Sequence, residues 1–82
     1  MDEVLGEIGR VLREELGMQR EVRPGDELLR DLQLDSVGLL TLVVDLEDHF
    51  RVALKEEDAA VIRTVAELAA LVLRRREEAA AC

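Results

Sequence analysis

Val4, Leu5, Ile8, Val11, Leu12 and Leu16 follow one another at mostly three- and four-residue steps, a spacing that lays one apolar stripe along a helix of about 3.6 residues per turn. A first helix is therefore expected, with Gly17 as its stop. From Gly17 to Asp35 the aliphatics Val22, Leu28, Leu29, Leu32 and Leu34 keep no sustained period. The only proline stands there, in "RPGDELL", where Pro24-Gly25 disfavours continuous helix and Asp26 can start a turn. This stretch reads as a long ordered loop whose aliphatics pin it to the core.

A second helix is expected to begin at Asp35 or Ser36, because aspartate is a favoured N-cap, and to run to about Phe50 or Arg51. Gly38 weakens its first turn slightly. "VALKEEDAAVI" predicts an irregular link and a short helix near Glu56 to Ala60. Thr64 and Glu67 form a capping-box pattern that opens a last helix through Val65, Leu68, Ala69 and Val72 to Arg74-Arg75-Arg76. Three cations there would oppose the negative end of the helix dipole, and the tail EEAAAC is expected to fray. The pattern predicts an all-α fold, a small bundle of three main helices plus one short helix, with one domain over residues 1–76 and a frayed tail over 77–82.

The second helix carries two stripes. At 100° per residue counted from Ser36, Leu39, Leu42, Val43, Leu46 and Phe50 fall between roughly 240° and 340°, a face that belongs in the core. Val37, Leu40 and Val44 fall between roughly 40° and 100°, with Thr41 and Asp48 just beyond and Glu47 on the other edge. A helix wedged between neighbours can be apolar nearly all round, so this second strip reads either as buried or as a small exposed patch rimmed by acids, of the kind a reversible protein contact uses.

Composition narrows the function. The chain of 82 residues is 49% apolar, almost wholly aliphatic, with one Phe and no Trp or Tyr, and carries a formal charge of −8. It lacks the aromatic platforms that stack nucleic-acid bases, and its charge would repel a phosphate backbone, so nucleic acid is excluded as a partner. Residues 26 to 58 hold ten acids and three bases, a net −7. Such a surface either solubilises the protein or speeds encounter with basic partners. No stretch approaches the roughly 20 apolar residues of a membrane span, and nothing resembles a targeting segment. The single cysteine, Cys82, cannot form an internal disulfide, and one His with one Cys cannot build a structural zinc site; a reducing cytoplasm fits.

Ser36 is the only serine in the chain. A nucleophilic serine needs a base within hydrogen-bond reach. His49, the only histidine, lies thirteen residues on, about 20 Å away at roughly 1.5 Å per residue, and is expected on the surface. No other catalytic motif is present. Ser36 is therefore read either as an ordinary first-turn residue or as a serine that another enzyme modifies, where a phosphate ester would sit near the positive end of the helix dipole.

"DLQLDSVGLLTLVVDLEDHF", preceded by a helix and a Pro-Gly-Asp loop and followed by "TVAELAALV", resembles the acyl carrier protein family from about residue 2 to 76. The resemblance implies that Ser36 receives phosphopantetheine from coenzyme A through a phosphopantetheinyl transferase, and that the thiol of this arm holds acyl groups as thioesters. It implies that Asp35 assists the transferase and its metal, and that Val37, Leu40, Val44, Glu47 and Asp48, with Thr41 at their edge, meet partner enzymes. Those partners would be acyl or amino acid ligases, synthases or acyltransferases with a basic docking surface, serving fatty acid, polyketide or related secondary metabolism. Gln33 stands where the family commonly has glycine, and Val37 where leucine is commoner. Gly38 after "DSV" is similar to carriers that load amino acids, which leaves aminoacyl cargo open. On this reading the protein is a freestanding, cytoplasmic, monomeric carrier and not an enzyme, and Cys82 is incidental. The alternative is an acidic helical adaptor that binds a partner through the second helix.

Overall fold

The computed structural model describes residues 2–81, apart from the side chains of Glu56, Ala59 and Ala81. Four helices follow in order: α1 (Asp2–Glu14), α2 (Ser36–Phe50), the short α3 (Glu56–Val61) and α4 (Val65–Ala81). The three long helices pack pairwise on one another, as the expected bundle of three main helices plus a short one requires. Val4, Ile8, Val11 and Leu12 of α1 meet Leu42, Leu46 and Phe50 of α2 and Val65, Leu68, Ala69 and Val72 of α4 in one buried cluster. These are the positions that the helical period selects, and each fully buried leucine or valine removes enough apolar surface from water to contribute about 1.5–3 kcal/mol.

α1 ends before Gly17, whose φ of +69° reverses the chain so that the Met18 N–H donates to the Leu12 carbonyl at 2.8 Å. The long loop is ordered by the far end of the bundle. The N–H groups of Val65 and Ala66, which have no partner within α4, donate to the carbonyls of Asp26 and Pro24 at 2.9 and 2.8 Å. Leu28 donates in turn to Arg63 O at 2.9 Å. Leu28 and Leu32 enter the core and Val22 and Leu34 pack against it, as expected of pinning residues.

Leu29 does not; it is 61% exposed. Asp31 and Leu32 both donate to the Glu27 carbonyl, a helical turn that aims Leu28 and Leu32 inward at a spacing of four and leaves Leu29 on the outer side.

The C-terminus also differs from expectation. α4 runs to Ala81, through five of the six residues expected to fray, while Cys82 lies outside the described residues. Alanine and glutamate sustain helix well, and Arg75 pairs with Glu78 at 2.7 Å one turn on. Arg74-Arg75-Arg76 thus lies in mid-helix, away from the C-terminal dipole. Arg75 bridges to Asp58 of α3 at 2.7 Å, and Arg76 reaches Glu3 of α1 at 3.3 Å with its guanidinium 5.5 Å from the centroid of the Phe50 ring.

Candidate functional site

Asp35 starts α2 from an extended conformation, and its Oδ1 accepts the Gly38 N–H at 2.7 Å. The cap fixes Ser36 as the first helical residue, exposed to solvent. Gly38 has a local reason to be glycine: a Cβ there would stand 3.2 Å from Asp35 Oδ1 and 3.5 Å from a Leu34 methyl. Just upstream, Gln33 has φ +55°, the left-handed region that glycine enters without strain. A glycine is what this backbone asks for at residue 33.

Beside the serine, Val37, Leu40 and Val44 are 71%, 62% and 43% exposed. The open question of the second strip is settled in favour of exposure, since α1 and α4 cover only the Leu42 and Leu46 side. Thr41 is half-buried, its hydroxyl donating to the Val37 carbonyl at 2.9 Å. Asp48 is exposed. Glu47 is half-buried, and its Oε2 accepts the Leu54 N–H at 2.9 Å, fastening the link after α2. Leu39 borders a cleft of about 440 Å³ whose walls include Leu28, Leu29 and Val61, with the charged Glu27, Arg30 and Arg63 also on its lining. Sequence reasoning missed this cleft, because its walls come from the loop, α2 and the end of α3; a leucine and a valine left without period were the only trace.

His49 is exposed, as expected, and it also touches α1. Its Nδ1 lies 3.5 Å from Oε2 of Glu7 on α1, and its ring meets Phe50 edge-on at 4.7 Å. Glu7 is buried, and Arg10 binds both of its oxygens. That guanidinium holds the Glu7 carboxyl below its ordinary range, against burial, with a smaller contribution from His49. The pair serves the α1–α2 contact, and thirteen residues of helix, about 20 Å, separate His49 from Ser36.

The bundle thus holds one exposed serine at the start of a capped helix, with exposed aliphatic side chains on the same helix. The family described as "Phosphopantetheine attachment site" matches residues 6–72. An acyl carrier protein of Myxococcus xanthus is 34% identical over 65 residues, covering 78% of this chain and 82% of that one. A meromycolate extension acyl carrier protein of Mycolicibacterium smegmatis is 30% identical over 78 residues, covering 94% and 79%. Among solved structures, an acyl carrier protein of Thermotoga maritima superposes with a TM-score of 0.84 at 24% identity, covering 94% and 91%. The chain belongs to the acyl carrier protein family. It is accordingly a carrier that other enzymes load and unload, not an enzyme itself, and phosphopantetheine is its prosthetic group. An exposed primary hydroxyl at a helix start, with no competing serine in the chain, fits esterification by that group. No helix among the described residues is long and apolar enough to cross a membrane.

Proposed function

We propose that Ser36 carries the phosphopantetheine arm and that the cargo is an acyl chain under construction, of the fatty acid or polyketide kind. The observation that carries this reading is the exposed Ser36, first residue of a helix capped by Asp35, with the exposed Val37 and Leu40 next to it on α2. The bound arm supplies a thiol on which acyl groups are held as thioesters. The chain's own part is to fix the hydroxyl at the helix start, where first-turn N–H groups other than that of Gly38, which Asp35 takes, would favour an attached phosphate, and to keep a carboxylate beside it. Only Oδ1 of Asp35 is used by the cap, so Oδ2 is free to assist the transferase and its metal. Val37, Leu40, Thr41 and Val44 form the partner contact, with Asp48 at its margin. Glu47 contributes through its position in the link to α3.

Acyl cargo is favoured over aminoacyl cargo by three observations. Gly38, the residue that resembled aminoacyl carriers, is accounted for by its contact with Asp35. The cleft beside Leu39 has aliphatic side chains on its lining, from Leu28, Leu29, Val61 and Ile62, and a relative 30% identical over 78 residues is named for meromycolate extension. An adaptor would share the exposed strip but would give Ser36 no task. The test is to convert the chain with coenzyme A, map the modified peptide, and offer ATP with either a fatty acyl ligase or an amino acid ligase. Modification on the peptide containing Ser36 and loading by the acyl ligase agree with the proposal; loading by the amino acid ligase alone overturns the acyl assignment. A cytoplasmic, monomeric protein is part of the same reading.

A further inference from the structure

We infer that the cleft bordered by Leu39 holds the far end of an acyl group that terminates in a carboxylate, its methylenes against Leu28, Leu29 and Val61 and its carboxylate against Arg30 and Arg63. This deepens the proposed function and rests on it, since the occupant is cargo tethered to Ser36 through the phosphopantetheine arm. A methyl-ended chain and an amine-ended aminoacyl group are the occupants that the cleft disfavours.

Reach comes first. Leu39 lies three residues after Ser36 on α2, which makes the two side chains neighbours on the helix surface. The border of the cleft is thus about 4.5 Å along the helix axis from the attachment point. Its volume of about 440 Å³ falls within the range of small-ligand sites, about 300–1,000 Å³. Leu28 is buried, while Leu29 and Val61 stand exposed on the walls. A methylene chain laid along these side chains removes apolar surface from water.

Charge then selects among occupants. The chain carries −8 overall, and residues 26 to 58 hold −7 of it, yet the cleft is lined by two arginines and one glutamate. The neighbouring hollow of about 340 Å³ against α3 and α4 has the reverse balance, Asp58 and Glu67 against Arg74. Arg30 reaches Glu27 only at 3.9 Å, the longest ion pair among the described residues, with its side chain 83% exposed. Arg63 has no side-chain partner among the described residues; its main chain alone is held, the N–H by Glu67 and the carbonyl by the Leu28 N–H. Both guanidiniums are therefore open to an incoming acid, and the planar fork of a guanidinium matches a carboxylate with two parallel hydrogen bonds. An ammonium at the end of the cargo would meet like charges there. A methyl group would displace water from the guanidiniums without replacing its hydrogen bonds.

Thermal unfolding of the full chain loaded with matched cargoes tests this. Loading from acyl-coenzyme A with a broad-specificity phosphopantetheinyl transferase attaches arm and cargo together, so no ligase imposes its own preference. The cargoes are adipoyl, its monomethyl ester and hexanoyl, which share one acyl chain length and differ at the far end. Arginines at the rim are expected to favour the carboxylate about 3-fold, as partly exposed ion pairs do, so that the adipoyl protein unfolds about 2–4 °C above the other two. The gap is expected to close in the double variant Arg30→Gln, Arg63→Gln and to shrink when salt is raised from about 50 to about 500 mM. Both residues are exposed, so the double variant keeps the fold. An adipoyl protein that melts with or below either neutral one, or a gap that survives in the double variant, overturns the inference while leaving the arm on Ser36. A chain that none of the three thioesters modifies removes the attachment site, and the inference with it.

Discussion

Asp35 and Gly38 hold each other at the start of α2: Oδ1 accepts the glycine N–H at 2.7 Å, and the position where a Cβ would stand on residue 38 is 3.2 Å from that same oxygen. One carboxylate therefore both starts the helix and stands beside the serine it presents.

The two roles separate by substitution. Asp35→Ala removes the cap and is expected to cost about 1 kcal/mol of stability. Asp35→Asn keeps an acceptor for the Gly38 N–H and is expected to stay within a few tenths of that of the parent. Thermal or urea unfolding reads this difference. If the carboxylate also serves the transferase, modification slows in both variants, whereas a purely structural Asp35 leaves the asparagine variant at the parental rate.

Gln33 and Arg51 each adopt φ +55°, a region that costs a residue with a Cβ roughly 1–2 kcal/mol. Gln33→Gly and Arg51→Gly are expected to gain part of this, about 0.5–1 kcal/mol each after the added freedom of the unfolded glycine is subtracted. The gain is read as a rise in urea midpoint at unchanged slope. A loss of stability at either position would show that its side chain matters more than its backbone.

Stability should fall in acid. The folded-state titration of Glu7 is lowered by Arg10, that of Asp58 by Arg75 and that of Glu67 by the Thr64 and Arg63 N–H groups. A carboxyl lowered on folding contributes stability that is present above its unfolded-state pKa and lost as pH falls through the folded-state value. The free energy of unfolding is therefore expected to be flat near neutrality and to decline below the ordinary carboxylate range. In Glu7→Gln that decline is shallower. A Glu7→Gln variant with the parental acid limb would remove Glu7 from the account.

The two faces of α2 should respond oppositely to truncation. Leu42 and Leu46 are fully buried, so Leu42→Ala or Leu46→Ala is expected to cost about 2–5 kcal/mol. A domain this small can lose most of its folded population at such a cost. Leu40→Ala, on the exposed strip, is expected to change stability by no more than about 0.5 kcal/mol. Comparable losses on the two faces would contradict the described packing.

What could be read in advance followed locality. The Asp35 cap and the Thr64–Glu67 box are contacts three residues apart, and the structure shows them at 2.7 Å and at 2.9 and 3.2 Å. The core face of α2 follows from the helical period, because one stripe must meet the neighbouring helices. Whether the Val37 strip was covered did not follow, since that depends on where α1 and α4 lie. Leu29 was misplaced because a turn closed on Glu27, not hydrophobicity, sets its direction. Arg74-Arg75-Arg76 was taken for a helix end because its ties to Asp58, Glu3 and Phe50 span as many as 73 residues of sequence. The bond from Glu47 to the Leu54 N–H was not foreseen for the same kind of reason: it needs the link after α2 to fold back. At the site itself the serine was legible and the cleft was not.

The central claim is that Ser36 is where this chain receives its prosthetic arm. Intact-mass measurement after incubation with coenzyme A and a phosphopantetheinyl transferase tests it most directly, with Ser36→Ala alongside. The account predicts a gain of one phosphopantetheine on the parent chain and none on the variant. A parent that stays at its original mass, or a variant that gains the group as readily, would contradict it.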